Sequence, residues 1–506
     1  MSMMNNYKGS LSFKAGLIAF GKTLKRFSGT ITIIVLARLF TQEDFGTYRQ
    51  VLFIIGIIIT LIEFSIPKSL LYFVPKSQNQ QDKEAFISQS YLLLTFLGVL
   101  SSIILYINSQ YIAEKFNNLL LSDLLKYYSP VIVFLVMSQN FFSSMLISLD
   151  KYKYASYSYV FVGMPNIICV LISAYLGLTL QKILILSVFV IAAQYLVLHI
   201  LTYKLSINLF HLPNLKRIQA QLKYILPLGF TIISGLISVQ LDKFVISLYF
   251  TAATFAIYSV GAMQIPFIGN LFEGVNAAIL PKITEYHINN NKTDIELLCR
   301  RAIRKISLIA LPIFCFLFFF AHNFIALLYT EKFSAAVPVF RIYLFSIFLK
   351  ISLCGIIILG TGKTNIILKT SIFTLTLNVI LNFIFVKMFG LIGPAIATIG
   401  TRFLHQLIFM MWVKFLLDYK ITAIFPFYQL MQILFLSILS ALIVWPLTMI
   451  TMPRLFCFGS LGILYVLSYI LLLYMFKVLL NSEKEILKET IQKVSSQIMQ
   501  LSSFRS

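Results

Sequence analysis

Apolar stretches of about 20 residues recur from one end of the chain to the other, separated by short polar segments. A stretch of this length matches the hydrocarbon core of a bilayer, so the pattern predicts membrane-spanning helices. The alternating ten-residue segments of a membrane β-barrel do not occur in the sequence. We predict fourteen spans, at 13–37, 48–66, 88–107, 126–148, 155–177, 183–203, 224–249, 255–280, 303–328, 337–360, 365–387, 391–414, 424–448 and 455–477.

Composition and charge agree with an all-α polytopic membrane protein. Of 506 residues, 59% are hydrophobic and only 12% are charged, which excludes a soluble globular protein. The net charge of +23 comes from Lys and Arg concentrated in alternate connections, such as Lys151 and Lys153 or Arg300 and Arg301. This asymmetry is typical of cytoplasmic loops rather than of a nucleic-acid-binding surface. We therefore expect both termini in the cytoplasm and no nucleic-acid partner.

An internal repeat divides the chain. The segment FTQEDFGTY at 40–48 recurs as FTAATFAIY at 250–258, 210 residues later, and six predicted spans separate the two copies. The two halves then share one orientation and form two six-helix lobes related by an axis along the membrane normal. The predicted divisions are an N-terminal lobe at 1–210, a C-terminal lobe at 211–420, additional spans 13 and 14 at 421–480, and a cytoplasmic tail at 481–506.

The first span contains Lys22, Lys25 and Arg26, with Lys22 near the middle of the bilayer. Each such charge costs about 2.5–3.5 kcal/mol at a helix centre. Spacings of three and four residues put Lys22, Lys25 or Arg26, and Gly29 on one side of the helix. We interpret this cationic stripe as part of a water-filled cavity for an anionic, lipid-linked substrate. The alternative is a structural ion pair with Glu63 or Glu273.

Further charges lie inside or at the ends of predicted spans. Arg49 either contacts the phosphate of the substrate or snorkels to the membrane surface. Asp242 either couples an ion to transport or forms a salt bridge that locks the lobes. Glu63 and Glu273 either couple an ion or have a structural role. No metal-ligand, redox or catalytic spacing occurs, so we expect no cofactor or metal and no catalytic residue. The predicted substrate-binding residues are Lys22, Lys25, Arg26, Arg49, Lys243, Arg341, Lys350 and Arg402. The ion-coupling candidates are Asp242, Glu273 and Glu63.

Three segments carry a resemblance to a known family. Residues 34–76, 148–156 and 241–283 resemble the signatures of Wzx-type O-antigen and polysaccharide flippases. The resemblance implies the V-shaped, two-lobe fold of the multidrug and toxic compound extruders (MATE proteins) and alternating access to a central cavity. It also implies a polyprenyl-diphosphate-linked oligosaccharide as cargo. The two extra spans are similar to those of lipid II flippases, where such a pair supports a groove for the lipid tail.

The resemblance further implies a non-enzymatic, monomeric protein of the bacterial inner membrane. It would contact membrane lipids, use a proton or sodium counter-ion, and work beside glycan polymerase and chain-length proteins. Alternatives are a multidrug or cation extruder, a lipid II-type precursor flippase and, less favoured because external connections are short, a membrane glycan polymerase or ligase. Two short amphipathic surface helices are predicted, at 282–305 and 482–499.

Overall fold

The computed structural model describes residues 11–211, 214–263, 265–415, 418–449, 453–479 and 483. Within these ranges the regular secondary structure is helical throughout. The α-helices are α1 Leu11–Leu39, α2 Gln42–Glu63, α3 Ile66–Lys76, α4 Gln80–Lys115, α5 Leu120–Tyr128, α6 Val131–Val136, α7 Phe142–Ser148, α8 Tyr152–Tyr175, α9 Leu180–Lys204, α10 Leu215–Tyr249, α11 Ala252–Gly261, α12 Pro266–Ile288, α13 Lys292–Phe319, α14 Ala321–Tyr329, α15 Val337–Leu344, α16 Ser346–Ile351, α17 Cys354–Gly360, α18 Thr364–Phe389, α19 Gly393–Phe415, α20 Ile421–Ile424, α21 Phe427–Val444 and α22 Arg454–Met475.

Ten helical segments of the described residues are long and apolar enough to cross a membrane. The prediction of an all-helical polytopic membrane protein is therefore confirmed. Two predicted spans, at 365–387 and 391–414, fall within the single segment Thr364–Phe415. In that segment α18 and α19 are joined by a short 3-10 turn at Gly390, whose φ is 57°.

Three predicted spans are absent from these ten segments, each for a local reason. The span at 126–148 is divided among four pieces, with a π-helical turn at Met137–Phe141 between α6 and α7. The span at 255–280 is divided because α11 ends at Gly261 and α12 begins at Pro266, where proline needs no N–H partner. Helix α1 is long enough, but its charges lower its hydrophobicity.

The chain forms two compact units. The first comprises Met1–Met263, Leu328–Val339 and Leu375–Thr401, and the second comprises Gln264–Leu327, Phe340–Thr374 and Arg402–Ser506. The first unit extends beyond the predicted boundary at residue 210 and includes α10 and α11. The division into an N-terminal lobe and a C-terminal lobe at that boundary stays a prediction.

Both copies of the sequence repeat begin a helix in the same way. The Thr41 hydroxyl accepts the Asp44 N–H at 3.1 Å, and the Thr251 hydroxyl accepts the Thr254 N–H at 3.4 Å. Threonine at this N-cap position satisfies a backbone donor that the first helical turn leaves without a partner. The repeated aromatic residues are buried core positions: Phe45, Tyr48, Phe255 and Tyr258.

Helices α2 and α11, which carry the two copies, cross with their backbones in contact. A Cβ atom on Gly46 would overlap the carbonyl group of Ala252, so this crossing requires glycine at position 46. The Phe53 and Phe255 rings pack edge to face beside it, with centroids 5.8 Å apart. The repeat is therefore the sequence signature of a helix pair in the first unit.

In the second unit, α21 and α22 pack against α13 around a buried cluster of Phe320, Ala441, Val444, Leu461 and Tyr465. Pro312 lies inside α13 and cannot donate a hydrogen bond to the carbonyl of Leu308, one turn earlier. The Tyr469 hydroxyl donates to that carbonyl at 3.1 Å. This bond anchors α22 to α13 through a backbone group that the proline has freed.

The prediction of a separate surface helix at 282–305 is wrong. Helix α12 continues to Ile288, and α13 starts at Lys292. Asn291 is the N-cap of α13, and its side chain accepts the Asp294 N–H at 3.3 Å. The basic residues of this region thus lie within two long helices, with Lys282 in α12 and Lys292, Arg300, Arg301, Arg304 and Lys305 in α13. The second predicted surface helix, at 482–499, lies outside the described residues except for Glu483.

We expect Gly46→Ala to destabilise the protein by about 1–3 kcal/mol, because the added methyl group meets backbone that cannot move aside. The measurement is the apparent melting temperature of the protein purified in detergent. Gly56→Ala is the matched control on the same helix, since a Cβ there has nothing within 4 Å. Equal melting temperatures for the two variants would contradict the close crossing.

Candidate functional site

Helix α1, which carries the cationic stripe, lies closely against α8. A Cβ atom on Gly21 would lie 2.8 Å from the carbonyl oxygen of Ser156, and one on Gly163 would lie 3.0 Å from the Cα atom of Lys25. The Ser28 hydroxyl donates to the Gly163 carbonyl oxygen at 2.6 Å. Small residues at such contacts let membrane helices approach closely, and the hydrogen bond fixes the rotation of α1.

Lys22 and Lys25 contact the same aromatic ring. Their Nζ atoms lie 5.5 and 5.9 Å from the ring centroid of Tyr159, which is buried in α8. Such cation–π contacts are worth about 0.5–2 kcal/mol each and offset part of the cost of the two charges. Lys22 and Arg26 are exposed and Lys25 is half-buried, so side chains of the stripe are accessible at the protein surface.

Glu63 is a carboxylate neighbour of this stripe. It ends α2, immediately before two residues with left-handed backbone, Phe64 and Ser65. Asn140 donates to both of its carboxylate oxygens, at 2.9 and 2.8 Å. Lys25 lies within electrostatic range of Glu63. The structure thus brings together a predicted substrate-binding lysine and a predicted ion-coupling carboxylate.

The second unit contains another group of charges. Lys350 lies within electrostatic range of Arg402 and of Glu273. Lys350 and Glu273 are exposed, and Arg402 is half-buried. Close to Arg402, the His405 ring nitrogen Nδ1 lies 3.0 Å from the Thr374 hydroxyl. Two cations and one carboxylate, which the sequence predicted individually, are therefore neighbours.

Asp242 and Lys243 are directed to partners in their own unit. The Tyr258 hydroxyl donates to Asp242 at 2.9 Å, and both residues are buried. Lys243 donates to the Gln240 side chain at 3.1 Å. The buried contact of Asp242 connects α10 to the second copy of the repeat.

Arg341 and Arg49 also have close neighbours. The Arg341 guanidinium donates to the Phe318 carbonyl oxygen at 3.0 Å and lies over the Phe318 ring, 5.5 Å from its centroid. Arg49 is within electrostatic range of Tyr48 and Tyr329. The contacts with Phe318 occupy part of the Arg341 guanidinium, whereas Lys22 and Lys350 remain exposed.

Sequence reasoning missed Tyr159 and Asn140. Both lie in predicted spans, but their roles depend on contacts with α1 and α2, more than 70 residues away in the chain. Among the residues that the structure describes, no group of three or more His, Cys, Asp or Glu side chains could hold a metal ion.

An apolar groove of about 660 Å³ runs between α13 and α22 in the second unit. At one end lie Lys305 and Glu483. Arg304 binds the Glu483 carboxylate through Nε and a terminal nitrogen, both at 3.0 Å. Apolar side chains that line the groove include Leu308, Ile309, Phe316, Val466, Ile470 and Leu473.

Comparison with known families gives the affiliation. Residues 35–338, more than half of the chain, match the family described as polysaccharide biosynthesis protein. The chain belongs to this family. The resemblance noted in the sequence is thereby confirmed at the level of the family. An uncharacterised membrane protein of Methanocaldococcus jannaschii is 22% identical over 425 residues, which cover 75% of this chain and 79% of that protein.

Solved structures show the same fold. The lipid II flippase MurJ in its inward closed conformation matches with a TM-score of 0.72 at 18% identity, covering 91% of this chain and 98% of that chain. An inward-facing multidrug resistance MATE family transporter of the MOP superfamily matches with a TM-score of 0.64 at 15% identity, covering 78% and 94%. This family member therefore shares the fold of these two proteins.

We expect Tyr258→Phe to destabilise this polysaccharide biosynthesis family member by about 1–3 kcal/mol, because the buried Asp242 carboxylate loses a donor. Thermal unfolding in detergent measures the effect. Tyr249→Phe, on the same helix as Asp242, is the control because Tyr249 is exposed. If both variants unfold like the parent protein, the Tyr258–Asp242 bond is not stabilising.

Proposed function

We propose that the chain is a flippase for an undecaprenyl-diphosphate-linked oligosaccharide. The cargo is the repeat unit of an O-antigen, a capsule or a related glycan, and it moves from the inner to the outer leaflet of a bacterial plasma membrane. The observation that carries the proposal is the accessible group Lys22, Lys25 and Arg26 in a helix of 29 residues, long enough to span a bilayer. Membership in the polysaccharide biosynthesis family supports the glycan part.

The chemistry of the two charge groups suits a diphosphate. Lysine binds phosphate as a point charge, and arginine can bind it with two parallel hydrogen bonds. In each group the cations outnumber the carboxylates, with Lys350 and Arg402 beside Glu273 in the second unit. Alternating access would carry the head group past these residues. Arg49, Lys243 and Arg341 are further candidates, and Lys243 and Arg341 have hydrogen-bond partners of their own.

The lipid tail needs a separate path. Moving it through water would cost about 0.8 kcal/mol per methylene group, so it stays in the bilayer or in an apolar groove. The groove between α13 and α22 offers such a surface, and Lys305 at its end offers a positive charge. We propose that this groove receives the polyprenyl chain of the cargo.

The finer topology is part of the same proposal. It has fourteen spans, two six-helix lobes with spans 13 and 14 added, and both termini in the cytoplasm. A proton or sodium ion drives the cycle through Asp242, Glu273 or Glu63. The protein acts as a monomer, in contact with membrane lipids and beside glycan polymerase and chain-length proteins.

A second candidate is a flippase for a lipid II-type peptidoglycan precursor. The groove between α13 and α22 and the similarity to MurJ, whose structure covers 91% of this chain, favour this candidate. A multidrug or cation extruder is disfavoured, since Lys22, Lys25 and Arg26 would repel cationic drugs.

Deletion of the gene separates the two candidates. We expect the deletion strain to accumulate a lipid-linked glycan repeat unit on the inner leaflet and to lose the corresponding surface glycan. Mass spectrometry of extracted polyprenyl lipids identifies the accumulated species. Accumulation of the peptidoglycan precursor would support the second candidate, and an unchanged lipid profile would refute both.

We expect Lys25→Ala or Arg26→Ala to abolish surface glycan while the protein remains in the membrane, because each variant removes a cation that the diphosphate passes. Quantification of surface glycan in the complemented deletion strain measures this. Lys115→Ala, an exposed lysine at the end of α4, is the control and should complement fully. Normal glycan in both test variants would remove the role of the cationic stripe.

We expect Gly462→Leu to reduce surface glycan severalfold, because the leucine side chain fills the groove and displaces the lipid tail. Gly462 lines the groove, and a Cβ atom added there would lie 3.7 Å from the Phe316 ring. Leucine also favours a helix more than glycine does. Gly459→Leu, on the same helix with no atom within 4 Å, is the control. If Gly462→Leu complements as well as Gly459→Leu, the groove does not hold the tail.

A further inference from the structure

A separation of 210 residues, which is the spacing of the repeat, occurs again among the charged residues. It relates Glu63 to Glu273, the carboxylates of the two charge groups. The same spacing relates Asn140, which donates to Glu63, to Lys350, which lies near Glu273. In each half a glutamate is thus followed 77 residues later by a polar neighbour, an amide in one half and an ammonium in the other.

The backbone is irregular at both partner positions. Asn140 lies in the π-helical turn Met137–Phe141, and Lys350 lies at the end of α16, just before non-helical Ser352. Such interruptions of membrane helices are frequent at functional sites and are tolerated where they line a cavity or are covered by protein. Each polar neighbour therefore lies at an interruption of a helix in its own half.

Each glutamate is close to cations of its own unit. Glu63 lies within electrostatic range of Lys25 and Lys68, and Glu273 lies within range of Lys350. A cation in a membrane span without an anion nearby is costly, and an internal carboxylate reduces that cost. A phosphate that binds the same cations must compete with the carboxylate, because like charges held close together repel.

We propose that Glu63 and Glu273 are a repeat-related pair of exchangeable counter-ions. Each neutralises the cations of its own unit when no cargo is bound and yields them to the phosphate of the cargo. The inference rests on the proposed function, since it requires an anionic cargo. It gives the glutamates a direct part in cargo affinity: they weaken binding, so that the cargo can leave as well as enter.

The test uses the full chain purified in detergent, with farnesyl diphosphate as the probe and calorimetry as the measurement. We expect Glu63→Gln to bind the probe roughly three- to tenfold more tightly than the parent protein, because a competing charge is removed. Glutamine keeps an oxygen that can accept from Asn140. Glu273→Gln should act in the same direction in the second unit, which gives an independent test if one variant does not fold.

Two controls localise the effect. Glu43→Gln replaces an exposed glutamate at the start of α2 and should leave the affinity unchanged. In a Lys25→Ala background, Glu63→Gln should no longer tighten binding, because the contested cation is gone. Binding of farnesol, which has the same chain without phosphate, should be equal in all variants.

The outcomes separate the two levels of the argument. If the parent protein binds the diphosphate and Lys25→Ala weakens binding, but neither glutamine variant tightens it, the counter-ion proposal is overturned and the flippase proposal stands. If the parent protein binds farnesyl diphosphate no better than farnesol, the anionic cargo itself is refuted and both proposals fall.

Discussion

The cost of holding positive charge inside a membrane-spanning helix is the constraint on which this structure depends. Lys22, Lys25 and Arg26 together would oppose insertion of α1 by several kcal/mol if each faced hydrocarbon. The fold offsets that cost with the Tyr159 ring beside the two lysines and with the Glu63 carboxylate near Lys25. A helix that needs so much compensation is hard to explain by packing alone.

The position of these charges is set by helix packing. Gly21 and Gly163 let α1 and α8 approach until a methyl group would not fit, and the Ser28 hydroxyl holds the rotation. With the rotation fixed, Lys22 and Lys25 reach the same ring on α8. The small residues therefore determine where the cationic side chains lie, although they carry no charge themselves.

Much of the fold was predictable because hydrophobic length and repeat spacing are local signals. The matching threonines and aromatic residues of the two copies indicated equivalent helices, and the structure gives both the same N-cap. The π-helical turn at Met137–Phe141 was not predicted, since an apolar run has the same composition whether or not its helix is continuous. Tyr159 and Asn140 were missed because only tertiary contacts connect them to the charges.

An intramembrane charge does not by itself identify a site that binds cargo. Asp242 and Arg341 are as unusual in a hydrophobic segment as Lys22, yet a buried tyrosine hydroxyl binds one and a main-chain carbonyl and a ring bind the other. Those contacts account for their presence in structural terms. Lys22 and Lys350 remain exposed, each in a group in which cations outnumber carboxylates. Under the proposed flippase function, this excess and this exposure are what an anion that binds and then leaves would require.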